Sequence, residues 1–209
     1  MSSAITEAIT TIALAETRFN LSLTEDGAFF PQWQSDLLAL SSHEKKSLDQ
    51  DQLRQRYLYQ RSAGQLLEVT VTLLLVSPLL AIAGFYDPPW RVRAEESVSL
   101  TVDDGEEILS GRIDVLVWLN QFWVVIVESK KTALSVWTAL PQTLAYLMAN
   151  PRPEKPRFAL VTNGDDILLV KLRANVHHYA LSRIFAPFIS REELYRVLQI
   201  LKHIGAAIK

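Results

Sequence analysis

The chain has 209 residues, of which 49% are hydrophobic, and this is enough apolar sequence for one globular domain with a sizeable core. Its formal net charge of −2 provides no overall basic field, so a polyanion would have to be held by a local patch or by metal ions. Because the sequence contains no cysteine, disulfides, thiolate zinc sites and cysteine nucleophiles are excluded.

The first part of the chain, residues 1–86, has a mainly helical pattern. Ile5, Ile9 and Ile12 fall on one stripe and predict an amphipathic helix over residues 1–19. This segment has acidic residues and no basic region, so it does not resemble a secretory signal, and we expect a cytoplasmic location. Residues 43–62 predict a polar, exposed helix.

An uncharged segment at residues 69–86, VTVTLLLVSPLLAIAGFY, is just long enough to be tested as a membrane span. Threonine, serine, proline and glycine interrupt it, and Ser77–Pro78 is a natural place for one helix to end and another to begin. We therefore predict two buried helices here and no membrane span.

After Pro88–Pro89 the pattern changes from helices to strands. Residues 91–102 alternate between polar and apolar, and two further strands at 111–119 and 122–129 are predicted to pair through a turn at Asn120–Gln121. A helical segment covers about 133–150.

The last part of the chain predicts a hairpin and a closing helix. Asn163–Gly164 is the strongest hairpin turn signal in the sequence, and Ser190 with Glu193 predicts a capping box at the start of the final helix. The expected fold is α/β (α+β): a mixed central β-sheet flanked by helices, in a single domain over 1–209. Within it, residues 1–86 form a mainly helical part and residues 87–209 an αβ core.

The central strand pair carries charged residues at its rim. A short loop between these strands places Asp114 opposite Val127 or Glu128, and either register brings Asp114 within reach of Glu128. Glu128 and Lys130 are two residues apart and so project from the same face. Two carboxylates this close repel each other by a few kcal/mol at an effective dielectric constant of about 20. A hard divalent cation such as Mg²⁺ would offset this repulsion.

The pattern of Asp114, thirteen intervening residues and then Glu128-Ser129-Lys130 resembles the active site of the PD-(D/E)XK nuclease superfamily. The resemblance implies a restriction-endonuclease-like fold in which Asp114 and Glu128 bind Mg²⁺, helped by the backbone carbonyl of Ser129, with Mn²⁺ as a substitute. It also implies that Lys130 orients or deprotonates the attacking water, or stabilises the transition state.

Gln142 and Tyr146 lie four residues apart and would share one helical face. They resemble the Q-x-x-x-Y motif of the exonuclease-like branch, which also occurs in the N-terminal nuclease domain of type I restriction enzyme R subunits. The resemblance places both residues beside the catalytic lysine and the DNA backbone. It also makes Glu68, the only acid in its helix, a candidate further metal ligand. No G-x-x-x-x-G-K-[ST] phosphate loop occurs in this chain, so it has no ATP site of that kind.

The function expected from the combined motif is Mg²⁺-dependent endonuclease-like hydrolysis of DNA, with DNA as the partner. A homodimer and association with restriction-system subunits stay open. A catalytically silent DNA-binding or assembly module with the same fold is the alternative, and a metal-free structural protein is a third reading. The basic residues that could line a phosphate-binding rim, or equally form a solvated surface, are Arg112, Lys131, Arg152, Lys155 and Arg157.

Overall fold

The computed structural model describes residues 2–34, 37, 39–49, 53–102, 107–119, 122–152 and 154–208. In these ranges the strands are β1 (Ser2–Ala4), β2 (Ser22–Leu23), β3 (Arg91–Val102), β4 (Glu107–Leu119), β5 (Phe122–Ser129), β6 (Arg157–Thr162), β7 (Ile167–Arg173) and β8 (His178–Leu181). They form one mixed sheet in the order β1-β4-β5-β6-β7-β8-β2, with β3 also paired to β4.

Helices cover both faces of the sheet. The helices are α1 (Ile5–Ala8), α2 (Ile12–Phe19), α3 (Pro31–Gln34), α4 (Ser42–Asp49), α5 (Leu53–Ser62), α6 (Glu68–Val71), α7 (Ser77–Ile82), α8 (Leu140–Met148) and α9 (Arg191–Ile208). One buried core packs α1, α2 and α8 against the sheet, and the other packs the α4–α7 region and α9 against the opposite face. The expected mixed α/β architecture, a sheet flanked by helices, is confirmed.

The N-terminal segment differs from the single amphipathic helix predicted for residues 1–19. It forms β1, the short helix α1 and then α2, which begins after Thr11, whose side chain accepts a hydrogen bond from the Leu14 N–H. Two residues of the apolar stripe are still buried, because Ile5 and Ile9 are 0% and 1% exposed, and Ile12 is partly buried. Pairing of β1 with β4 competes with helix formation here and satisfies the first backbone groups in the sheet. The sequence pattern also did not predict β2.

Residues 68–82 form a continuous helical run, so the predicted break at Ser77–Pro78 is wrong. A π-helical turn at Thr72–Val76 joins α6 to α7, and the Ser77 N–H donates to the carbonyl of Thr72. Pro78 lies inside this run, two residues after the π-helical turn, and has no N–H to donate to the preceding turn. Among the described residues, no helix is long and apolar enough to span a membrane.

The polar helix predicted for residues 43–62 is present as two helices, α4 and α5, and residues 50–52 between them lie outside the described ranges. The predicted turn at Asn120–Gln121 also lies outside them, while the strands it would join pair antiparallel as expected.

The hairpin signal at Asn163–Gly164 is confirmed, because β6 and β7 pair antiparallel around it. Gly164 has a φ of +94°, and a Cβ there would collide with the hydroxyl of Tyr57. The helix predicted for 133–150 begins later, as a 3₁₀ turn at Val136–Thr138 followed by α8.

The final helix α9 forms as predicted, but the capping box does not. The Ser190 N–H donates to the carbonyl of Ala186. The Glu193 carboxylate instead accepts two hydrogen bonds of 2.7 Å from the Arg183 guanidinium. A bidentate, charge-assisted interaction with arginine is stronger than a hydrogen bond from one backbone amide, so the Glu193 carboxylate pairs with Arg183 and not with the Ser190 N–H.

Candidate active site

The register of β4 against β5 decides which residue faces Asp114. Val115 pairs with Val127, and continuing this register by one residue places Asp114 opposite Glu128. β5 ends at Ser129, and the Lys130 N–H extends the pairing with β6 by donating to the carbonyl of Thr162 at 2.7 Å. The fold therefore brings Asp114, Glu128 and Lys130 to the same end of the central strands.

Glu128 is the most buried of these groups, with a side chain that is 0% exposed. Its Oε2 lies 3.8 Å from Lys130 Nζ and accepts a 2.9 Å hydrogen bond from Gln142 Nε2. Its Oε1 has no hydrogen-bond partner among the described residues. Burial raises the pKa of Glu128 well above its ordinary value, and the charge of Asp114 raises it further, whereas the charge of Lys130 and a hydrogen bond from the Asp114 backbone lower it. An unpartnered buried carboxylate oxygen is costly unless a ligand or a proton occupies it.

Gln142 and Tyr146 connect helix α8 to this carboxylate. Gln142 Nε2 lies 2.9 Å from both Glu128 Oε2 and the Tyr146 hydroxyl, so one amide group fixes two side chains. Burial, followed by the charge of Glu128, raises the pKa of Tyr146 to about 12. Tyr146 is thus a neutral phenol at physiological pH, able both to donate and to accept a hydrogen bond.

Tyr146 also occupies a gap in the sheet. β3 lines one edge of β4, so β1 (at 108–110) and β5 (at 115–119) share the other edge and leave residues 111–114 between them. The Tyr146 hydroxyl accepts from the Arg112 N–H and donates to the Arg112 carbonyl. A Cβ at Gly111 would lie 2.6 Å from the Tyr146 ring, so only glycine permits this approach. The sequence reasoning missed Gly111; a lone glycine inside a strand was the available signal.

The strand that carries Asp114 is irregular at that residue. On β3 the two neighbours of Glu95 pair with Val115 and Ile113, so Glu95 lies opposite Asp114, and Glu95 has a φ of +54°. Ile113 faces one core while Val115 faces the other, although two residues apart in a regular strand share a face. Left-handed backbone at a residue other than glycine is strained and occurs often at functional sites. The sequence analysis did not anticipate this role of Glu95.

Glu68, the first residue of α6, is exposed and lines a cleft of about 270 Å³ together with Asp114, Glu95 and Arg112. Its charge contributes to raising the pKa of Glu128, although less than that of Asp114. Within the described ranges, no three histidine, aspartate or glutamate side chains lie close enough together to hold a metal ion. A metal site here would therefore depend on two carboxylates and a backbone carbonyl.

The five basic residues predicted for a phosphate-binding rim do not lie together. Arg112 and Lys131 are exposed at the end of the sheet that holds Glu128. Arg112 forms an ion pair with Glu95, with 3.4 Å between a guanidinium nitrogen and a carboxylate oxygen. Arg152 and Lys155 precede the N-terminal end of β6, which runs parallel to β5. Arg152 and Lys155 therefore lie at the opposite end of the sheet, roughly 15–20 Å from Glu128 along the strand direction.

Arg157 is a clear correction, because it is 1% exposed. Its guanidinium donates to the carbonyls of Leu147 and Asn150 at the end of α8, and burial lowers its pKa to about 10. A buried arginine that satisfies helix C-terminal carbonyls has a structural role and does not form part of a surface rim.

No family model matches the chain, and no curated protein matches significantly. A solved fragment structure assigned as an HsdR subunit of a type I restriction enzyme from Vibrio vulnificus YJ016 is similar at 22% identity and a TM-score of 0.42. The similarity covers 65% of this chain and 26% of the HsdR fragment, so this chain spans about a quarter of the length of that fragment. The candidate site is therefore defined by its own residues and distances.

Proposed function

We propose that this protein is a metal-dependent nuclease that hydrolyses DNA phosphodiester bonds, related to the nuclease domain of type I restriction enzyme R subunits but without an ATPase motor in this chain. The observation that carries the proposal is the buried Glu128 carboxylate, which has one unpartnered oxygen, lies opposite Asp114 and has Lys130 Nζ at 3.8 Å. A purely structural ion pair would be expected to satisfy both oxygens of a buried carboxylate.

The residues present fit Mg²⁺, or Mn²⁺ in its place. Carboxylate and carbonyl oxygens suit hard divalent cations, and Mg²⁺ commonly uses only one or two protein carboxylates together with water and phosphate oxygens. Asp114, Glu128 and the Ser129 carbonyl would hold the ion, with Glu68 as a further carboxylate beside the cleft. When bound, the ion would supply charge neutralisation at the phosphate and an activated water.

The side chains around the ion would contribute to hydrolysis by positioning the carboxylates, the attacking water and the phosphate. Lys130 is 17% exposed, so its ammonium group can reach an attacking water or a phosphate oxygen from beside Glu128. Gln142 holds Glu128 Oε2 and leaves Oε1 available to a ligand. Tyr146 holds Gln142 and the backbone of β4, so the strand with Asp114 and the strand with Glu128 keep a fixed separation. Preorganised charges of this kind are the main requirement of phosphoryl transfer.

The test is cleavage of supercoiled and linear DNA by the purified protein in Mg²⁺ and in EDTA. Asp114→Ala, Glu128→Ala and Lys130→Ala should each lower the Mg²⁺-dependent rate by at least about 100-fold. Glu154→Ala and Lys155→Ala are matched charge controls, because both residues are exposed at the opposite end of the sheet. Cleavage by Lys130→Ala at the wild-type rate would contradict the proposal. Metal-independent DNA binding without cleavage would favour the silent DNA-binding module instead.

A further inference from the structure

Glu95 adopts a backbone conformation that the pairing of its strand does not require. Among the residues that the structure describes, three other than glycine have a positive φ: Asn20, Glu95 and His177. Asn20 ends α2 and His177 ends a short 3₁₀ turn, and a left-handed residue commonly ends a helical segment in this way. Glu95 instead lies inside β3, and the residues on either side of it pair with β4. Strained backbone without such a local reason is typical of a functional position.

The side chain of Glu95 forms an ion pair with Arg112, and both residues line the cleft that contains Asp114. The closest guanidinium nitrogen and carboxylate oxygen are 3.4 Å apart, and the side chains of Arg112 and Glu95 are 64% and 70% exposed. In contrast, Arg61 and Asp165 approach to 2.9 Å and form three hydrogen bonds. An ion pair as long and as exposed as that of Glu95 holds the arginine weakly, so a ligand can displace the carboxylate.

The backbone of Arg112 is fixed, although its guanidinium group is not. The Tyr146 hydroxyl accepts a hydrogen bond from the Arg112 N–H and donates one to the Arg112 carbonyl. Gln142 then links Tyr146 to the buried Glu128 carboxylate. The base of the arginine therefore has a fixed position relative to the candidate catalytic groups, while its tip can exchange partners. A side chain that binds a ligand at a defined place requires a rigid support of this kind.

The chemistry of the guanidinium group indicates which ligand can replace Glu95. Arginine binds carboxylate and phosphate oxygens through the same planar set of donors, so a phosphate takes the place of a carboxylate. Arg112 is the one basic side chain among the described residues that line the cleft, which also contains Glu68 and Asp114. Because these carboxylates repel an anion, a phosphate in the cleft depends on Arg112, which Glu95 already occupies.

We propose that Glu95 competes with a DNA phosphate for the Arg112 guanidinium, so that Glu95 is an internal inhibitor of DNA binding at the candidate active site. A strand recovers the lost ion pair only if one of its phosphates lies at Arg112, beside Asp114. Glu95 thereby favours DNA seated in the cleft over DNA bound loosely elsewhere. The choice of DNA as the ligand rests on the proposed function, whereas the competition itself is tested by binding alone.

Binding of a labelled DNA duplex is measured by fluorescence anisotropy, with Ca²⁺ in place of Mg²⁺. Glu95→Gln keeps the size of the side chain but removes the competing charge, and it should tighten binding about tenfold, whereas Arg112→Ala should weaken binding about tenfold. Because the released arginine gains a phosphate, Glu95→Gln should also steepen the dependence of log affinity on log salt by about one phosphate contact.

Two comparisons separate competition from a general effect of the lost charge. Glu154→Gln is the matched control, because Glu154 forms a similarly long and exposed ion pair with Arg152 at the opposite end of the sheet, and it should leave affinity and salt dependence unchanged. In an Arg112→Ala background, Glu95→Gln should change affinity by no more than about twofold, since no guanidinium group is released. A tenfold gain in that background, or no gain from Glu95→Gln alone, would overturn the proposal.

Cleavage assays in Mg²⁺ distinguish failure of this proposal from failure of the proposed function. DNA binding that depends on Glu95 and Arg112 as described, without cleavage, would retain the competition and remove the nuclease activity. Mg²⁺-dependent cleavage by a protein whose DNA affinity does not respond to Glu95→Gln would retain the nuclease activity and overturn the competition. Absence of DNA binding in the wild type and in every variant would overturn both.

Discussion

The Tyr146 hydroxyl oxygen accepts a hydrogen bond from the Arg112 backbone N–H, with 3.2 Å between oxygen and nitrogen, and donates one to the Arg112 carbonyl oxygen at 3.1 Å. A side chain from helix α8 thereby replaces a strand partner at the gap between β1 and β5. Because Arg112 is two residues from Asp114 and Tyr146 is linked through Gln142 to Glu128, this relationship ties the two carboxylate-bearing strands to one helix.

Tyr146→Phe should destabilise the protein by about 1–3 kcal/mol, because it removes one hydroxyl and leaves two backbone groups of β4 without their partner. The free energy of unfolding in urea measures this loss. Tyr59→Phe is the matched control, since Tyr59 is 75% exposed, and it should change the free energy by only a few tenths of a kcal/mol. A Tyr146→Phe variant as stable as wild type would show that water or a neighbouring strand replaces the phenol.

Glu128→Gln should stabilise the protein at neutral pH by about 1 kcal/mol. The pKa of Glu128 in the folded protein lies well above 4.5, so the folded state binds more protons than the unfolded state as pH rises from about 4.5 towards the folded pKa. Wild-type stability therefore falls with rising pH in this window, and the glutamine variant lacks that loss.

Urea melts of both proteins across this pH range should show the two curves converging below the unfolded pKa and separating above it. The exposed Glu154→Gln is the control and should show no such separation. If Glu128 were simply paired with Lys130, the glutamine variant would instead melt lower at neutral pH, because it loses an attraction.

Mg²⁺ should raise the melting temperature of the wild-type protein and have little effect on Glu128→Gln, since a ligand that binds the folded state stabilises it by mass action. Thermal melts in EDTA and in a series of Mg²⁺ concentrations check this. If Mg²⁺ raised the melting temperatures of the two proteins equally, the ion would bind at a site that does not include Glu128. If it did not change the melting temperature of the wild type, that result would count against the metal site.

Glu95→Gly should be more stable than Glu95→Ala by roughly 0.5–1 kcal/mol. Both variants remove the exposed ion pair with Arg112, which contributes little, but only glycine relieves the strain of the +54° φ. Comparing the two variants by urea unfolding isolates the backbone effect. Equal stability would mean that β3 changes its conformation at this position at no cost.

Much of the site could be predicted because its pattern is local. A strand has a period of two residues, so the sequence alone places Glu128 and Lys130 on one face, and a helix places Gln142 beside Tyr146. The Asn163–Gly164 hairpin and the strands over 91–102 and 122–129 also follow from short-range patterns.

The tertiary structure was needed to determine which strands pair and in which register they do so. Sequence left Asp114 opposite either Val127 or Glu128, and only the pairing of Val115 with Val127 decided for Glu128. The parallel pairing of β5 with β6 likewise moved Arg152 to the far end of the sheet, and the packing of α8 against it buried Arg157.

The sequence by itself determined which residue types could perform the chemistry and which of them share a face of one element, because these properties depend on residues a few positions apart. Only the tertiary structure decided that Tyr146 fills a gap in the sheet beside Gly111, and that Glu95 is strained opposite Asp114. These arrangements depend on backbone groups that find partners far along the chain, and a buried N–H or carbonyl must be paired wherever the fold leaves it.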